Sequence, residues 1–153
     1  MTNMKFAESY KSATDEFMNS IETLSPRDLD NSDSEGWTPR QVIHHMADSE
    51  AQSYARLRRL IAEPGTPIQG YDEAIWAENP ILGYKTEDVE SSISVIKAVR
   101  QASYELLLRV SDAQLENSGM HTEAGPYSVK RWIETYTRHP IDHANQIKKQ
   151  LGN

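Results

Sequence analysis

A chain of 153 residues, 37% hydrophobic and 25% charged, has the balance of an ordinary soluble globular protein and is long enough to bury a core of its own. A net charge of −7 opposes a nucleic-acid binder, which needs a positive face, and the absence of cysteine excludes disulfides, thiolate metal sites and a protein-borne thiol nucleophile. No stretch approaches the ~20 apolar residues of a membrane span, and the N-terminus lacks the apolar core of a secretory signal, so a cytoplasmic location with no membrane partner is expected.

Apolar residues at Phe6, Tyr10, Phe17, Ile21 and Leu24 recur at helical spacing and predict a first helix, after which "SPRDL" at 25 to 29 reads as a turn opening a short helical piece. Thr38 is a natural N-cap with Pro39 at the first helical position, so a second helix is expected from there to Ala62. Within it "RLRRL", 56 to 60, is a single basic turn, read as a solvated face rather than a phosphate site. Residues 63 to 86 carry three prolines and three glycines and form a long crossover, inside which Asp72 caps a short helix over "DEAIWAE". Thr86 is expected to cap a third long helix ending near Val110, where "SDAQ" reads as a capping box. A turn-rich link at 118 to 128 suits a small hairpin, and Ser128 caps a fourth long helix. Four amphipathic segments with one long crossover between the second and third predict an all-α four-helix bundle, with residues 1 to 153 forming a single domain.

The stretch "RHPIDHANQI" sets His139 and His143 four apart with Pro140 between them. Positions 129, 132, 133, 136, 140, 143, 144, 147 and 151 keep one apolar phase across the proline, which predicts one kinked helix rather than two. Residues four apart differ by ~40° in direction and ~6 Å in height, so two imidazoles at this spacing can converge on one ion. On the second helix His45 shares its face with Val42 and Ser49 and is expected to point inward, whereas His44 is expected at the edge or in solvent. His121, in the link, is a reserve ligand. Three neutral imidazoles from two helices make a facial site suited to zinc, nickel or ferrous iron. The residue pattern alone leaves the alternative open that the histidines are scattered between core and surface.

"WTPRQVIHHMADSE" resembles the signature of the DinB-like superfamily, and "SYARLRRLIAEPGTPIQGYDEAIWAE" is similar to the second helix and crossover of its YfiT-like branch, including Tyr71, Asp72 and Trp76. "RHPIDHANQI" matches the C-terminal His-x3-His helix; the resemblance spans residues 37 to 151, while 1 to 36 align mainly by helix content. It implies an up-down-down-up bundle with a divalent metal, zinc or nickel, at its open end, a homodimer, and His45, His139 and His143 as the metal ligands. Pro140 departs from the commonest motif and bears on the angle of His139.

The resemblance implies two chemistries: transfer of a low-molecular-weight thiol such as bacillithiol, mycothiol or glutathione onto an electrophile, or metal-dependent hydrolysis by an acidified water. A bundle whose metal serves only binding or dimer assembly is the third reading. In each enzymatic case the substrate is a small molecule and no nucleic acid is contacted. Asp48, Ser49 and Gln146 lie within a turn of the ligands; they either approach the metal or a histidine's second nitrogen, or serve as an ion-pair or polar-rim residue. Trp37, Tyr71, Trp76 and Tyr127 read as packing and loop anchors, and no general base is assigned.

Overall fold

Helix boundaries follow local capping chemistry in a computed structural model that describes residues 2–32 and 35–152. The helices are α1 (Thr2–Glu22), α2 (Pro39–Ala62), α3 (Glu73–Glu78), α4 (Glu90–Leu107) and α5 (Val129–Gln150), with 3-10 turns at Asp28–Asp30 and Gln114–Glu116. At the head of α2 the Gln41 amide donates to Thr38 Oγ1 while the Thr38 amide donates to Gln41 Oε1, a reciprocal box. Asp72 caps α3 by accepting from Ile75 N, and Ser128 caps α5 by accepting from Arg131 N. Ser111 and Gln114 exchange the same two bonds as Thr38 and Gln41.

The third long helix departs from expectation. Thr86 does not cap it, because the amides of Thr86 and Glu87 both turn back to the Gly83 carbonyl. Gly83 has φ of +70°, a conformation that favours glycine. Helix α4 starts at Glu90 instead, where Asp88 Oδ1 accepts from the Glu90 amide.

Cross-helix bonds fix the directions. Trp132 Nε1 donates to the Ser53 carbonyl while His139 meets His45, so α2 and α5 run antiparallel. His44 pairs with Ser92 and Glu50 with Arg100, so α2 and α4 run parallel. Tyr104 meets Glu8 and Arg100 meets Thr14, so α1 and α4 are antiparallel. The result is an up-down-down-up four-helix bundle, and two parallel consecutive long helices require the crossover between them.

The core has two apolar halves. One gathers Tyr10, Leu57, Leu60, Leu107, Trp132 and Tyr136; the other gathers Phe17, Val42, Met46, Ile96, Ala144 and Ile147. Between them lies a polar layer around Arg100, whose side chain is wholly buried. Its guanidinium donates to Glu50 Oε1 (2.7 Å), Thr14 Oγ1 (2.6 Å), the Tyr136 carbonyl (3.0 Å) and the Tyr10 carbonyl (3.1 Å). One cation thus touches all four long helices.

The expected hairpin forms from β2 (Ser118–His121) and β3 (Gly125–Ser128). A third strand, β1 (Pro67–Ile68) from the crossover, adds parallel to β2. A side chain at position 119 would collide with the Thr66 carbonyl oxygen, so Gly119 is what lets the two links approach this closely. Among the described residues no helix is long and apolar enough to cross a membrane.

Candidate metal centre

His45 stands two turns into α2 on the face shared with Val42, Met46 and Ser49, and it is fully buried. From α5, His139 and His143 project to meet it. His139 Nε2 lies 3.2 Å from His45 Nε2 and 2.9 Å from His143 Nε2. The three rings form the one group among the described residues whose ligand atoms could hold an ion.

These separations fit a shared ion. Donors ~2.1 Å from a common cation sit ~3.0 to 3.4 Å apart, depending on the angle between the bonds. The protonation state fits as well. Burial pushes His45 down to about 3, with the charge of His143 adding to the effect. It pushes His139 down to about 2, assisted by His143, His45 and Arg100. His143 is also lowered by burial, against an opposing hydrogen bond from Gln146. Neutral imidazole is the form that binds a metal. Gln146 Oε1 lies 2.7 Å from His143 Nδ1, which places the proton on Nδ1 and leaves Nε2 as the donor atom.

Helix α5 stays continuous through Pro140. A proline has no N–H to give the carbonyl four residues back, here that of Tyr136. Arg100 Nη1 takes that carbonyl from the side. The turn just before the two α5 histidines is therefore held by a residue of α4.

The remaining sequence candidates fall elsewhere. Asp48 accepts a 2.6 Å hydrogen bond from the Tyr84 hydroxyl and so ties α2 to the crossover; among the described residues it makes no ion pair. Ser49 is buried beside the Tyr71 hydroxyl. His44, expected at the edge or in solvent, is buried because α4 packs alongside α2; its nitrogens meet Ser92 Oγ and the Glu87 carbonyl. His121 does not reach the centre: its Nδ1 accepts the Glu123 and Ala124 amides and closes the hairpin turn.

Trp37 packs on His45 with ring centroids 5.0 Å apart and meets Tyr84 edge-on. Tyr71 stacks near Trp76, and Tyr127 near His121. Sequence reasoning passed over Arg100, Glu50 and Tyr84. A signal existed for two of them: Arg100 falls in the apolar phase of Ile96, Ser103 and Leu107, and Glu50 in that of Met46, Ser53 and Leu57. Charges at core positions of two neighbouring helices imply a pair.

Fold and site together define a helical bundle carrying a three-histidine donor set between two of its helices. The chain belongs to the DinB superfamily, whose family model matches residues 9–147. A protein of Oceanobacillus iheyensis that bears the provisional name metal-dependent hydrolase is 38% identical over 130 residues, covering 84% of this chain and 74% of the relative. The solved structure of YfiT from Bacillus subtilis, provisionally a metal-dependent hydrolase with an unusual four-helix bundle topology, matches with a TM-score of 0.82 at 26% identity. That match covers 98% of this chain and 87% of that one. The mycothiol-dependent maleylpyruvate isomerase shares the fold at a TM-score of 0.75 and 14% identity, over 96% of this chain and 61% of its own.

Proposed function

We propose that this protein is a metal-dependent enzyme that transfers a low-molecular-weight thiol to a small electrophile, with His45, His139 and His143 holding zinc or nickel through Nε2. The observation that carries this reading is the convergence of three neutral Nε2 atoms, one buried and two half-buried, with no carboxylate in the group. A divalent ion held there supplies Lewis acidity, which stabilises a thiolate at neutral pH.

This chain's residues then have definite tasks. Gln146 keeps the proton of His143 on Nδ1, away from the donor atom. Trp37 covers His45 and excludes water from that side. His139 and His143 are half-buried, so a small molecule can approach from their side. The chain has no cysteine, so the sulfur comes with the substrate.

Hydrolysis is the second reading, favoured by the names of the relatives. Activating a water commonly draws on a nearby carboxylate base, and Asp48, one turn from His45, is engaged by Tyr84. On this ground we rank thiol transfer ahead of hydrolysis.

Metal analysis of the purified protein beside His45→Ala and His143→Ala tests the ligand set: about one ion per chain is expected, lost in both variants. Stoichiometric metal surviving both substitutions overturns the assignment. Loaded protein is then offered bacillithiol, mycothiol and glutathione with a generic electrophile, and separately a panel of esters. Thiol consumption supports the transferase, ester turnover without thiol replaces it by a hydrolase, and neither leaves a metal-binding bundle.

A further inference from the structure

The basic turn "RLRRL" is a solvated face only in part, with Arg59 exposed and Arg56 and Arg58 half-buried. Arg58 folds back over the Tyr54 ring, 3.3 Å from its centroid. Arg56 is half-buried: Nη1 donates to the Tyr136 hydroxyl at 2.9 Å and Nη2 to the Gln69 carbonyl at 2.6 Å. Both acceptors are neutral. Among the described residues no carboxylate lies within ion-pair distance of Arg56 or of the exposed Arg59. Glu73 is near enough to feel the charge of Arg56 but makes no pair with it.

Arg56 and Arg59 face a hollow of about 270 Å³, bounded also by Gln52, Pro67 and Gln69. His45, Ser49, Gln52, Arg56 and Arg59 follow one another at steps of three or four, so the hollow continues the face of α2 that carries His45. Arg56 lies ~16 Å along the helix axis from His45. Tyr136 bridges the interval, its hydroxyl on Arg56 and its ring 6.4 Å from that of His139. A partly desolvated guanidinium held by neutral acceptors, in a chain of net charge −7, is a place where an anion is missing its partner's competition. Its planar fork suits a carboxylate.

We propose that this hollow binds a carboxylate at the far end of the small molecule whose reactive end meets the three histidines. The inference rests on the metal-centre reading above for where that reactive end goes. It narrows the substrate class to acidic molecules roughly as long as three to five extended peptide units, spanning ~10 to 16 Å.

S-methylglutathione, which has both carboxylates and no free thiol, and its diethyl ester are titrated calorimetrically into metal-free and zinc-loaded protein. The acid is expected to bind about tenfold more tightly than the ester, as loss of a charge-assisted hydrogen bond implies. Arg56→Met brings the acid down to the level of the ester and leaves zinc affinity unchanged; Arg56→Lys recovers part of the preference. Arg59→Gln, at an exposed position that holds no other element, lowers the preference without touching the fold. Equal binding of acid and ester, no binding of either, or a preference that survives both Arg56→Met and Arg59→Gln overturns the proposal. Because the probe carries no thiol, a protein that fails to take up zinc overturns the metal reading alone, and the acid-to-ester comparison on metal-free protein still decides this one.

Discussion

Arg100 and Tyr136 are joined by a hydrogen bond that a third residue makes available. Nη1 of Arg100 donates to the Tyr136 main-chain oxygen at 3.0 Å, and the residue four positions on, which would ordinarily donate to that oxygen, is Pro140. The same nitrogen donates to Glu50 on α2, five residues from His45. One guanidinium therefore fixes the backbone next to His139 relative to the helix that carries His45.

Pro140→Ala restores an amide that competes with Arg100 for the Tyr136 carbonyl. The melting temperature is expected to hold or rise, since alanine favours helix interiors by ~3 kcal/mol over proline, while metal affinity falls several-fold as the turn before His139 tightens. Calorimetric metal titration beside thermal unfolding reads both. An unchanged affinity would confine the proline's role to exposing the carbonyl for Arg100.

Glu50→Gln and Arg100→Met each leave one member of a wholly buried ion pair without its counter-charge. Each is expected to destabilise the fold by ~3 to 5 kcal/mol, and the double variant by less than the sum of the two. Urea unfolding of the four proteins gives the coupling; strictly additive losses would show that the pair does not act as a unit.

The metal-free protein is expected to weaken in mild acid. His45 and His139 titrate near 3 and 2 when folded, against an ordinary 6.5, so the unfolded chain binds more protons between those values. Their stabilisation is complete above pH 6.5 and is lost as pH falls toward the folded values, by ~2 kcal/mol per ring at pH 5. Urea midpoints measured from pH 8 to pH 5 should stay level and then drop, and the drop should shrink in His139→Gln. A flat profile would contradict the buried, neutral state of these rings.

Gln146→Leu removes the acceptor for His143 Nδ1. Metal affinity is expected to fall by about 10- to 100-fold with little change in stability, because Gln146 is half-buried and touches the centre from outside. Competition with a chromogenic chelator provides the measurement. Retention of full affinity would mean that the amide does not set the tautomer.

The bundle was legible because the apolar phase of its long helices is local, and α2 and α5 carry their own caps as well, whereas the start of α4 at Glu90 was not legible. Thr38, Asp72, Ser111 and Ser128 cap where their side chains can reach an amide three residues on, and the apolar phase of α5 runs unbroken through Pro140. Spacing on α5 and phase on α2 allowed the three histidines to meet but left scattered histidines open; the family resemblance supplied the set, and the fold brings the three rings together. What escaped depends on contacts between distant segments. His44 is buried by a helix that begins more than forty residues later, Asp48 is claimed by Tyr84 from the crossover, and Arg56 is drawn inward by Tyr136. Propensity on α2 alone cannot say which neighbour covers which side of it.

The two residues of β1 also govern phase. Ile68 is buried while Pro67 is exposed, and both are locked in register against Met120 and His121 of the hairpin. Side chains on a strand alternate between faces, so inserting one residue between the end of α2 and Pro67 would either turn Ile68 out of the core or slide the crossover along the hairpin. The two longest connections in the chain are thereby made to change length only in concert, and natural variation within them is expected to come in matched pairs of insertions rather than singly.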